Sequence, residues 1–292
     1  NYSHTRIIVD VTVVENGNKE SSFNRIGSAG GYESFENINL EKLVKDTIDE
    51  AIDLLHASNF EGGEYPVIIS KGFGAVIFHE ACGHGLEATS VAPKTSCFTG
   101  LLGQKIASEK VTLIDDGTMK NIWGSINVDD EGNLPKKNIL IDKGVLKSYL
   151  VDYSNIEKMD NHPLTGSGRR EDYTYEPTSR MTNTYLEAGT DTIEDMIKSI
   201  DYGIYCYSLG GGLVDPASGN FNFNVSYAKL IENGKITKTL KGLCLIGNSK
   251  DILNQVEMVS NDLELSDGYC GSLSGSVPVT IGQPTIKISK IQ

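Results

Sequence analysis

Apolar and polar residues alternate near the start of the chain and predict a β-hairpin there. Residues 5–14 have apolar side chains at every second position, which is typical of a half-buried strand. The turn sequence Glu15-Asn16-Gly17-Asn18 follows, and residues 21–26 are predicted to form the return strand. The alternating positions of the first strand are Ile7, Val9, Val11 and Val13.

The clearest helical pattern covers residues 40–55. Its apolar residues recur three and four positions apart and share one helix face, which we interpret as core packing. After this helix, Gly62-Gly63 and Pro66 indicate a domain boundary. The apolar residues of the pattern are Leu40, Leu43, Val44, Ile48, Ala51, Ile52 and Leu55.

Beyond residue 66 the pattern is mostly that of strands. Asn233-Gly234, between two strand-like segments, is the strongest hairpin signal in the chain. Because hairpins outnumber helices and no regular alternation of strand and helix is present, the sequence predicts an α+β fold with mainly antiparallel sheets. The predicted strands are 66–69, 138–142, 145–151, 227–231 and 235–240, and the predicted helices are 75–88, 191–200 and 249–260.

Composition narrows the classes of protein that fit. Of the 292 residues, 39% are hydrophobic and 22% are charged, which is ordinary for a folded globular protein. The formal net charge of −13 repels phosphate backbones, so we expect no direct nucleic-acid partner. No apolar run has the length of a membrane helix and no signal peptide is evident, so we expect no membrane association.

The five cysteines are scattered and odd in number, which argues against a disulfide framework. We therefore expect a cytoplasmic protein. The sequence begins with Asn1 rather than Met, so we expect it to start inside a longer chain. The cysteines are Cys82, Cys97, Cys206, Cys244 and Cys270.

The segment from Phe78 to Glu87 carries the strongest chemical signal, because it places His79, Glu80 and His84 within six residues. Neutral imidazoles are good zinc ligands, and zinc lowers the pKa of a bound water toward neutrality. A neighbouring carboxylate can then take the proton of that water as it attacks a carbonyl. The pattern predicts a zinc site with Glu80 as general base. Two helix histidines with unrelated roles are the alternative interpretation.

The spacing of the two histidines constrains the local backbone. Five residues apart, His79 and His84 would point about 140° apart in a regular α-helix, at about 100° per residue. Both can bind one metal ion only if the helix is widened or broken, and a π-bulge would serve. Gly83, just before His84, makes such a distortion easy.

A third protein ligand is required, because a catalytic zinc has three protein ligands and one open position. Glu87 follows His84 by three residues on a helical face, and Cys270 is flanked by glycines that permit close backbone approach. Chemistry alone ranks these two residues about equally. The candidates are Glu87, Cys82, Cys97 and Cys270.

With these motifs in place, the sequence resembles the TldD/PmbA family, and closely its TldD branch. The resemblance covers nearly all of residues 66–292 and consists of several blocks in the expected order, which makes it far more specific than one motif. The blocks are 79–87 (HEACGHGLE), 165–171 (TGSGRRE), 180–184 (RMTNT), 210–215 (GGGLVD), 242–248 (GLCLIGN) and 277–285 (VPVTIGQPT).

The resemblance implies a cytosolic zinc metallopeptidase that acts on unfolded or flexible peptides. Family members pair as two-subunit assemblies whose active subunit carries the histidine–glutamate motif, which implies a homodimer or a heterodimer with a paralogue. It also implies a cysteine near the C-terminus as third ligand, here Cys270. Residues 1–62 would be the last part of an N-terminal α/β domain, and residues 63–292 the β-rich metallopeptidase domain with its metal-site helix.

The resulting hypothesis is a zinc ion bound by His79, His84 and Cys270, with Glu80 as the general base that passes its proton to the leaving amine. Arg169 and Arg170 lie in a loop rich in glycine and serine, and they are candidates to stabilise the oxyanion with the zinc. A solvated loop or a structural ion pair is the alternative for them. The peptide is expected to add as an extended strand to a sheet edge.

Other functions are compatible with the residues. A non-catalytic subunit with a structural zinc would be unaffected by Glu80→Gln. A regulatory protein of the gyrase-modulator type would bind a topoisomerase whether or not metal is present. A Cys–His hydrolase with Cys82 as nucleophile is disfavoured, since no orienting Asp or Asn is evident.

Overall fold

The structure, a computed structural model, describes residues 3–292. It begins with the predicted hairpin, formed by strands β1 (Thr5–Glu15) and β2 (Asn18–Ser28), and continues with helix α1 (Leu40–Leu55). Asn16 and Gly17, both with positive φ, form the hairpin turn. The sequence predictions of these three elements are confirmed.

The rest of the described chain consists of short helices and many strands. The strands, in chain order, are β3 (Ser58–Asn59), β4 (Tyr65–Ile69), β5 (Leu113–Asp116), β6 (Lys137–Asp142), β7 (Val145–Leu146), β8 (Gly168–Arg169), β9 (Thr178–Ser179), β10 (Asn183–Leu186), β11 (Tyr202–Val214), β12 (Asn220–Glu232), β13 (Lys235–Lys241), β14 (Leu243–Asn248), β15 (Val256–Val259), β16 (Glu264–Ser272), β17 (Gly275–Gln283) and β18 (Ile286–Ile291). The helices are α2 (Val76–Phe78), α3 (Ala88–Val91), α4 (Ile193–Lys198) and α5 (Ser249–Asn254), with a π-helix at His79–Gly83 and 3-10 helices at Tyr32–Phe35, Gly72–Ala75, His84–Leu86 and Ile156–Lys158. Within residues 3–292, no helix is both long enough and apolar enough to cross a membrane.

Two large sheets organise the molecule. One has the strand order β15-β18-β4-β11-β12-β13-β3, with β14 also paired to β12, and the other has the order β16-β17-β10-β5-β6-β7. Most pairings are antiparallel, whereas β4 with β11, β10 with β17 and β3 with β13 run parallel. The predicted α+β class with mainly antiparallel sheets is therefore confirmed.

The helical segment of residues 72–86 bridges the two sheets. Its first turn, Gly72–Ala75, packs against β17, whereas His79–Gly83 packs against β11 and β12. Its apolar side chains belong to the main hydrophobic core, which draws on both sheets. The segment that carries the histidines is therefore enclosed by the fold.

Two element predictions were wrong in part. Only Val145–Leu146 of the predicted strand 145–151 is extended in the sheet, because Leu150 instead exchanges backbone hydrogen bonds with Leu86 and Ala88. The predicted helix 249–260 ends at Asn254, and Val256–Val259 form β15. There the β-branched valines pair with β18, so sheet pairing prevails over the helical spacing.

The interpretation of the α1 stripe as core was also wrong for part of it. Leu40, Val44, Ile48 and Ile52 are between 37% and 43% exposed. The buried residues of α1 are Thr47, Ala51 and Leu54, of which Ala51 belongs to the predicted stripe. On the side of the hairpin, the side chain of Asn24 donates a hydrogen bond to the Thr47 hydroxyl at 3.0 Å. The apolar periodicity identified the helix correctly but not the face that it buries.

Candidate metal centre

A change of helix type brings the two histidines to one side. The α-helical turn Val76–Phe78 widens into a π-helix at His79–Gly83 and tightens into a 3-10 helix at His84–Leu86. The backbone N–H of His84 donates to the carbonyl of His79, the i→i+5 bond of a π-turn. Residues five apart therefore share a face, and the predicted distortion is confirmed.

Gly83 is required at this point by a close contact. A Cβ at this position would lie 2.1 Å from the Met181 sulfur. The backbone of Gly83 is ordinary right-handed helix, with φ −52° and ψ −56°. The glycine thus serves the close approach of Met181, whereas the sequence had suggested only that it eases the distortion.

Cys270, on β16, lies beside the two histidines although it follows His84 by 186 positions in the chain. One ligand atom from each of His79, His84 and Cys270 lies within 4.8 Å of the other two. The Cys270 Sγ and His84 Nε2 are 3.2 Å apart, and the two imidazole rings are nearly perpendicular with centroids 5.1 Å apart. The structure therefore brings together the three residues that the sequence proposed as ligands.

The charges of these groups are strongly coupled. Burial alone would raise the pKa of the Cys270 thiol, but the neighbouring His79 and His84 outweigh burial and lower this pKa to about 4. Burial would lower the pKa of His84, yet Glu87 and Cys270 raise it well above its usual range. Cys270 is therefore favoured as a thiolate, the form of cysteine that binds metals.

Glu87 contacts the outer side of His84. Its carboxylate lies 3.0 Å from Nδ1 of His84, while Nε2 of the same ring faces Cys270. Glu87 is only 2% exposed. A carboxylate in this position fixes the tautomer and the orientation of a metal-binding imidazole. The sequence analysis considered Glu87 as a metal ligand, whereas in the structure it contacts Nδ1 of His84, on the side of the ring away from Cys270.

Glu80 lies on the open side of the group. Its carboxylate is 3.8 Å from His84 Nε2, the nitrogen that also faces Cys270. Together with His79 it lines a cleft of about 740 Å³. A carboxylate beside the donor atoms and in contact with the cleft is placed to exchange protons with a molecule bound there.

Unpaired backbone borders this cleft. Residues of β2, β11 and β16 form its walls. The pairing of β11 with β4 ends at Cys206, and β16 is an edge strand of its sheet in the part of the chain that the structure describes. The Gly268 and Cys270 carbonyls of β16 already accept hydrogen bonds from Trp123 and Arg180. The part of β11 beyond Cys206 can therefore offer main-chain hydrogen bonds to an extended ligand.

The donor set fits a zinc ion. Nδ1 of His79 is buried and has no hydrogen-bond partner among residues 3–292. With Nδ1 of His84 held by Glu87, its Nε2 is left for a metal. Two imidazoles and a thiolate suit zinc, whereas calcium and magnesium prefer oxygen ligands.

Arg169, which lies in β8, and Arg170, which follows it, donate hydrogen bonds to backbone carbonyls. Arg169 is buried, and its guanidinium donates to the carbonyls of Met181 and Pro278, each at 2.7 Å. Burial, with the nearby Arg180, lowers the pKa of Arg169 to about 10. Arg170 donates to the Tyr175 carbonyl at 3.2 Å.

Arg180 is a site residue that the sequence analysis missed. It is fully buried and donates to the Ser274 hydroxyl and the Gly275 carbonyl, each at 2.9 Å, and to the Cys270 carbonyl. It thereby supports the β16–β17 hairpin that presents Cys270. The only signal for it was its place in the block of residues 180–184, since no spacing rule marks a buried arginine.

Cys82 does not face the cleft. It is fully buried in the main core, and burial raises the pKa of its thiol far above the usual range. A thiol in such surroundings is a poor nucleophile, which agrees with the low rank of a Cys–His hydrolase.

Comparison with known proteins identifies the family of this chain. A family model described as the PmbA/TldA metallopeptidase C-terminal domain matches residues 62–292. A metalloprotease TldD homologue of Buchnera aphidicola is 41% identical over 97% of this chain and 60% of its own length. One of Haemophilus influenzae is 40% identical over 98% of this chain and 61% of its own length. The chain belongs to the TldD/PmbA metallopeptidase family.

More distant relatives extend the comparison. A protein of Saccharolobus solfataricus named zinc metalloprotease TldD homologue is 29% identical over 88% of this chain and 58% of its own length. Solved structures of TldE from Thermococcus kodakarensis (TM-score 0.79, 23% identity, 99% of this chain and 62% of that one) and of a Thermotoga maritima protein described as a proposed DNA gyrase modulator (0.81, 21%, 98% and 61%) share the fold. The chain spans about three fifths of the length of the curated relatives.

Proposed function

We propose that this protein is a zinc-dependent peptidase whose metal ion is held by His79, His84 and Cys270. The observation that carries the proposal is the convergence of two imidazoles and a thiolate beside Glu80, at the wall of a cleft. The membership of a metallopeptidase family supports it, as does the zinc in the name of the Saccharolobus relative.

In this proposal, zinc supplies the Lewis acidity that polarises a carbonyl and lowers the pKa of a water. Glu80 accepts the proton of the attacking water and returns it to the nitrogen of the leaving amine. Glu87 holds the ring of His84 in one tautomer through Nδ1. Arg180 keeps Cys270 in place through its carbonyl.

The assignment of Arg169 and Arg170 as oxyanion-stabilising residues stays a prediction. Their guanidiniums donate to main-chain carbonyls in this structure, so such a role would require these bonds to be shared or exchanged. Although burial lowers the pKa of Arg169 overall, the nearby Cys270 is among the groups that raise it, which supports an electrostatic role for Arg169 beside the metal ligand.

The proposed substrates are unfolded or flexible peptides bound as extended strands. The unpaired backbone of β11 beyond Cys206 and the edge position of β16 support this mode, because main-chain pairing tolerates different side chains. The proposed assembly is a homodimer or a heterodimer with a paralogue, and the proposed location is the cytoplasm, as the family resemblance implies.

The division into residues 1–62 and 63–292 also remains a proposal. It is supported by the family model, which begins its match at residue 62. In the structure the first part contributes the hairpin and α1, and its strand β2 forms part of the cleft wall.

The decisive experiment measures zinc by elemental analysis in wild type and Cys270→Ser, each purified without added metal. We expect one zinc per wild-type chain and its loss in Cys270→Ser. Zinc retained in Cys270→Ser would point to Glu87 as third ligand. Absence of zinc in the wild type, even after zinc is supplied, would favour the non-catalytic subunit.

Hydrolysis of an unstructured peptide by Glu80→Gln separates catalysis from metal binding. We expect this variant to keep its zinc and to lose about 10²–10⁴-fold in rate, the usual contribution of a general base. Unchanged turnover would refute the assignment of Glu80 and leave a structural zinc as the better interpretation.

A further inference from the structure

A second cluster of charged side chains lines the same cleft but takes no part in the metal site. Arg6 of β1 and Arg25 of β2 both approach Asp267 of β16, at 2.5 Å from Nη2 and 3.7 Å from Nε, respectively. Asp267 is 4% exposed, whereas Arg6 and Arg25 both line the cleft. Two guanidiniums share one carboxylate, so the cluster carries one net positive charge in a chain whose net charge is −13.

Aromatic rings hold both guanidiniums in fixed planes. The guanidinium carbon of Arg6 lies 4.4 Å from the centroid of the Trp123 ring and 5.2 Å from that of Tyr269. Arg25 lies over Phe73 at 4.7 Å. Stacked arginines lose little side-chain freedom when they bind, so the pair is organised before any ligand arrives.

Arg25 has capacity for a second anion. Its Nε faces Asp267, and among residues 3–292 its terminal nitrogens have no hydrogen-bond acceptor. Its side chain is 25% exposed. Burial lowers the pKa of Arg25, and the positive charge of Arg6 lowers it further, whereas Asp267 raises it. An anion bound in the cleft would therefore stabilise the positive charge of Arg25. Lys71, also in the cleft wall, already pairs with Glu264 at 3.0 Å.

We propose that Arg25, supported by Arg6, is a subsite that binds a carboxylate of the peptide substrate. This inference rests on the proposed peptidase function. The planar fork of an arginine matches a carboxylate with two parallel hydrogen bonds. The chemistry is the same for the free C-terminus of a peptide and for the side chain of an acidic residue.

The strand β16 sets the distance from this subsite to the metal site. Asp267 precedes Cys270 by three residues, which is about 10 Å along a strand at about 3.3 Å per residue. An extended peptide beside β16 covers that distance with about three residues. The subsite therefore selects a carboxylate about three residues from the scissile bond.

The test compares four forms of one unstructured peptide on the zinc-loaded protein: the C-terminal acid, the C-terminal amide, and amides with either Glu or Gln three residues beyond the cleaved bond. The variants are Arg25→Met, Arg25→Lys and, as a matched control, the exposed Lys19→Met on the same hairpin. We expect wild type and Lys19→Met to prefer acid over amide by about tenfold or more in kcat/KM, as for a charged hydrogen bond.

In Arg25→Met the ratio of kcat/KM for the acid to that for the amide should fall to about one. Arg25→Lys keeps the positive charge but loses the paired hydrogen bonds of the guanidinium, so it should retain part of the acid preference. This variant tests the subsite even if Arg25→Met folds poorly. A preference for Glu over Gln, with none for acid over amide, would identify the side chain as the source of the carboxylate. No preference of either kind in wild type, or one that survives in Arg25→Met, would overturn the subsite.

Binding without turnover distinguishes this inference from the proposed function. The affinity of the same peptides for Glu80→Gln, measured by fluorescence anisotropy, should show the same acid or Glu preference and lose it in the Glu80→Gln, Arg25→Met double variant. If wild type hydrolyses no peptide but this binding preference is present, the peptidase function fails and the subsite stands. Equal affinities for all four peptides would refute the subsite whatever the rates are.

Discussion

Helix α1 and the metal segment of residues 76–86 are both helical and rich in apolar residues, yet they are held in different ways. α1 is one regular helix of 16 residues, and four apolar side chains of its stripe remain more than a third exposed. The metal segment passes through α-, π- and 3-10 geometry within eleven residues and is almost wholly buried. The partly exposed helix α1 is therefore regular, whereas the buried helical segment that forms the candidate site is irregular.

The difference lies in where the stabilising contacts come from. α1 makes its own hydrogen bonds and is capped locally by Asn39, whose side chain accepts from the backbone of Lys42. The metal segment is held by distant residues, since Leu150 bonds its backbone and Met181 fills the space beside Gly83. A functional geometry of this kind depends on tertiary contacts more than on local preference.

Within the metal segment, the largest effect is expected where the distant contact is tightest. Gly83→Ala places a methyl group against the Met181 sulfur, which should lower the free energy of unfolding by about 1–3 kcal/mol and reduce the zinc content. Denaturant unfolding and elemental analysis measure the two effects. The penalty should shrink when Gly83→Ala is made in a Met181→Ala background, because the clash is then removed.

Gly62→Ala is the matched control for this change, since nothing lies within 4 Å of a Cβ at that position. It should leave stability within about 1 kcal/mol of wild type. If Gly83→Ala behaves like Gly62→Ala, the metal segment adapts easily and the contrast with α1 is weaker than proposed.

A smaller effect is expected from the carboxylate behind His84. Glu87→Gln should weaken zinc binding by about 10–100-fold, because the partner that orients the imidazole is impaired. Competition with a chromophoric chelator measures this affinity. Glu109→Gln, on a side chain that is 80% exposed, serves as control. Equal zinc affinities of Glu87→Gln and wild type would show that the metal segment holds His84 without help from Glu87.

The smallest effect is expected on the exposed face of α1. Ile48→Ala should cost less than about 1 kcal/mol, whereas Leu54→Ala, a similar truncation at a buried position, should cost about 2–5 kcal/mol. Thermal or denaturant unfolding of both variants gives the comparison. If the two truncations cost the same, the stripe of α1 is covered in solution by a surface that lies outside the described residues.

The sequence predicted best what neighbouring residues determine. The hairpin at Asn233-Gly234 and the limits of α1 follow from turn chemistry and periodicity, and both are found. The five-residue spacing of His79 and His84 predicted a helical distortion, because two imidazoles that share a metal ion require a common face. These expectations needed no knowledge of what packs nearby.

The sequence predicted least where a distant contact decides the outcome. Val256 and Val259 fit a helical face equally well, and only their pairing with β18 makes them a strand. The pairing of Arg6 and Arg25 with Asp267 joins residues more than 240 positions apart, so no local pattern could reveal it. The role of Glu87 as a partner of His84, and not as a metal ligand, likewise depended on the distant Cys270, which faces the other nitrogen of the same ring.

Strand β16 has a consequence for the proposed substrate specificity. Asp267 and Cys270 are an odd number of residues apart, so their side chains leave opposite faces of the same strand. In the proposed mechanism, β16 thus carries both the metal ligand Cys270 and the carboxylate that pairs with the subsite arginines, and each residue of the strand adds about 3.3 Å to the distance between them. One residue inserted between the two would lengthen this distance by about 3.3 Å and turn Asp267 to the other face, so under the proposed function the preferred position of the substrate carboxylate depends on the register of a single strand.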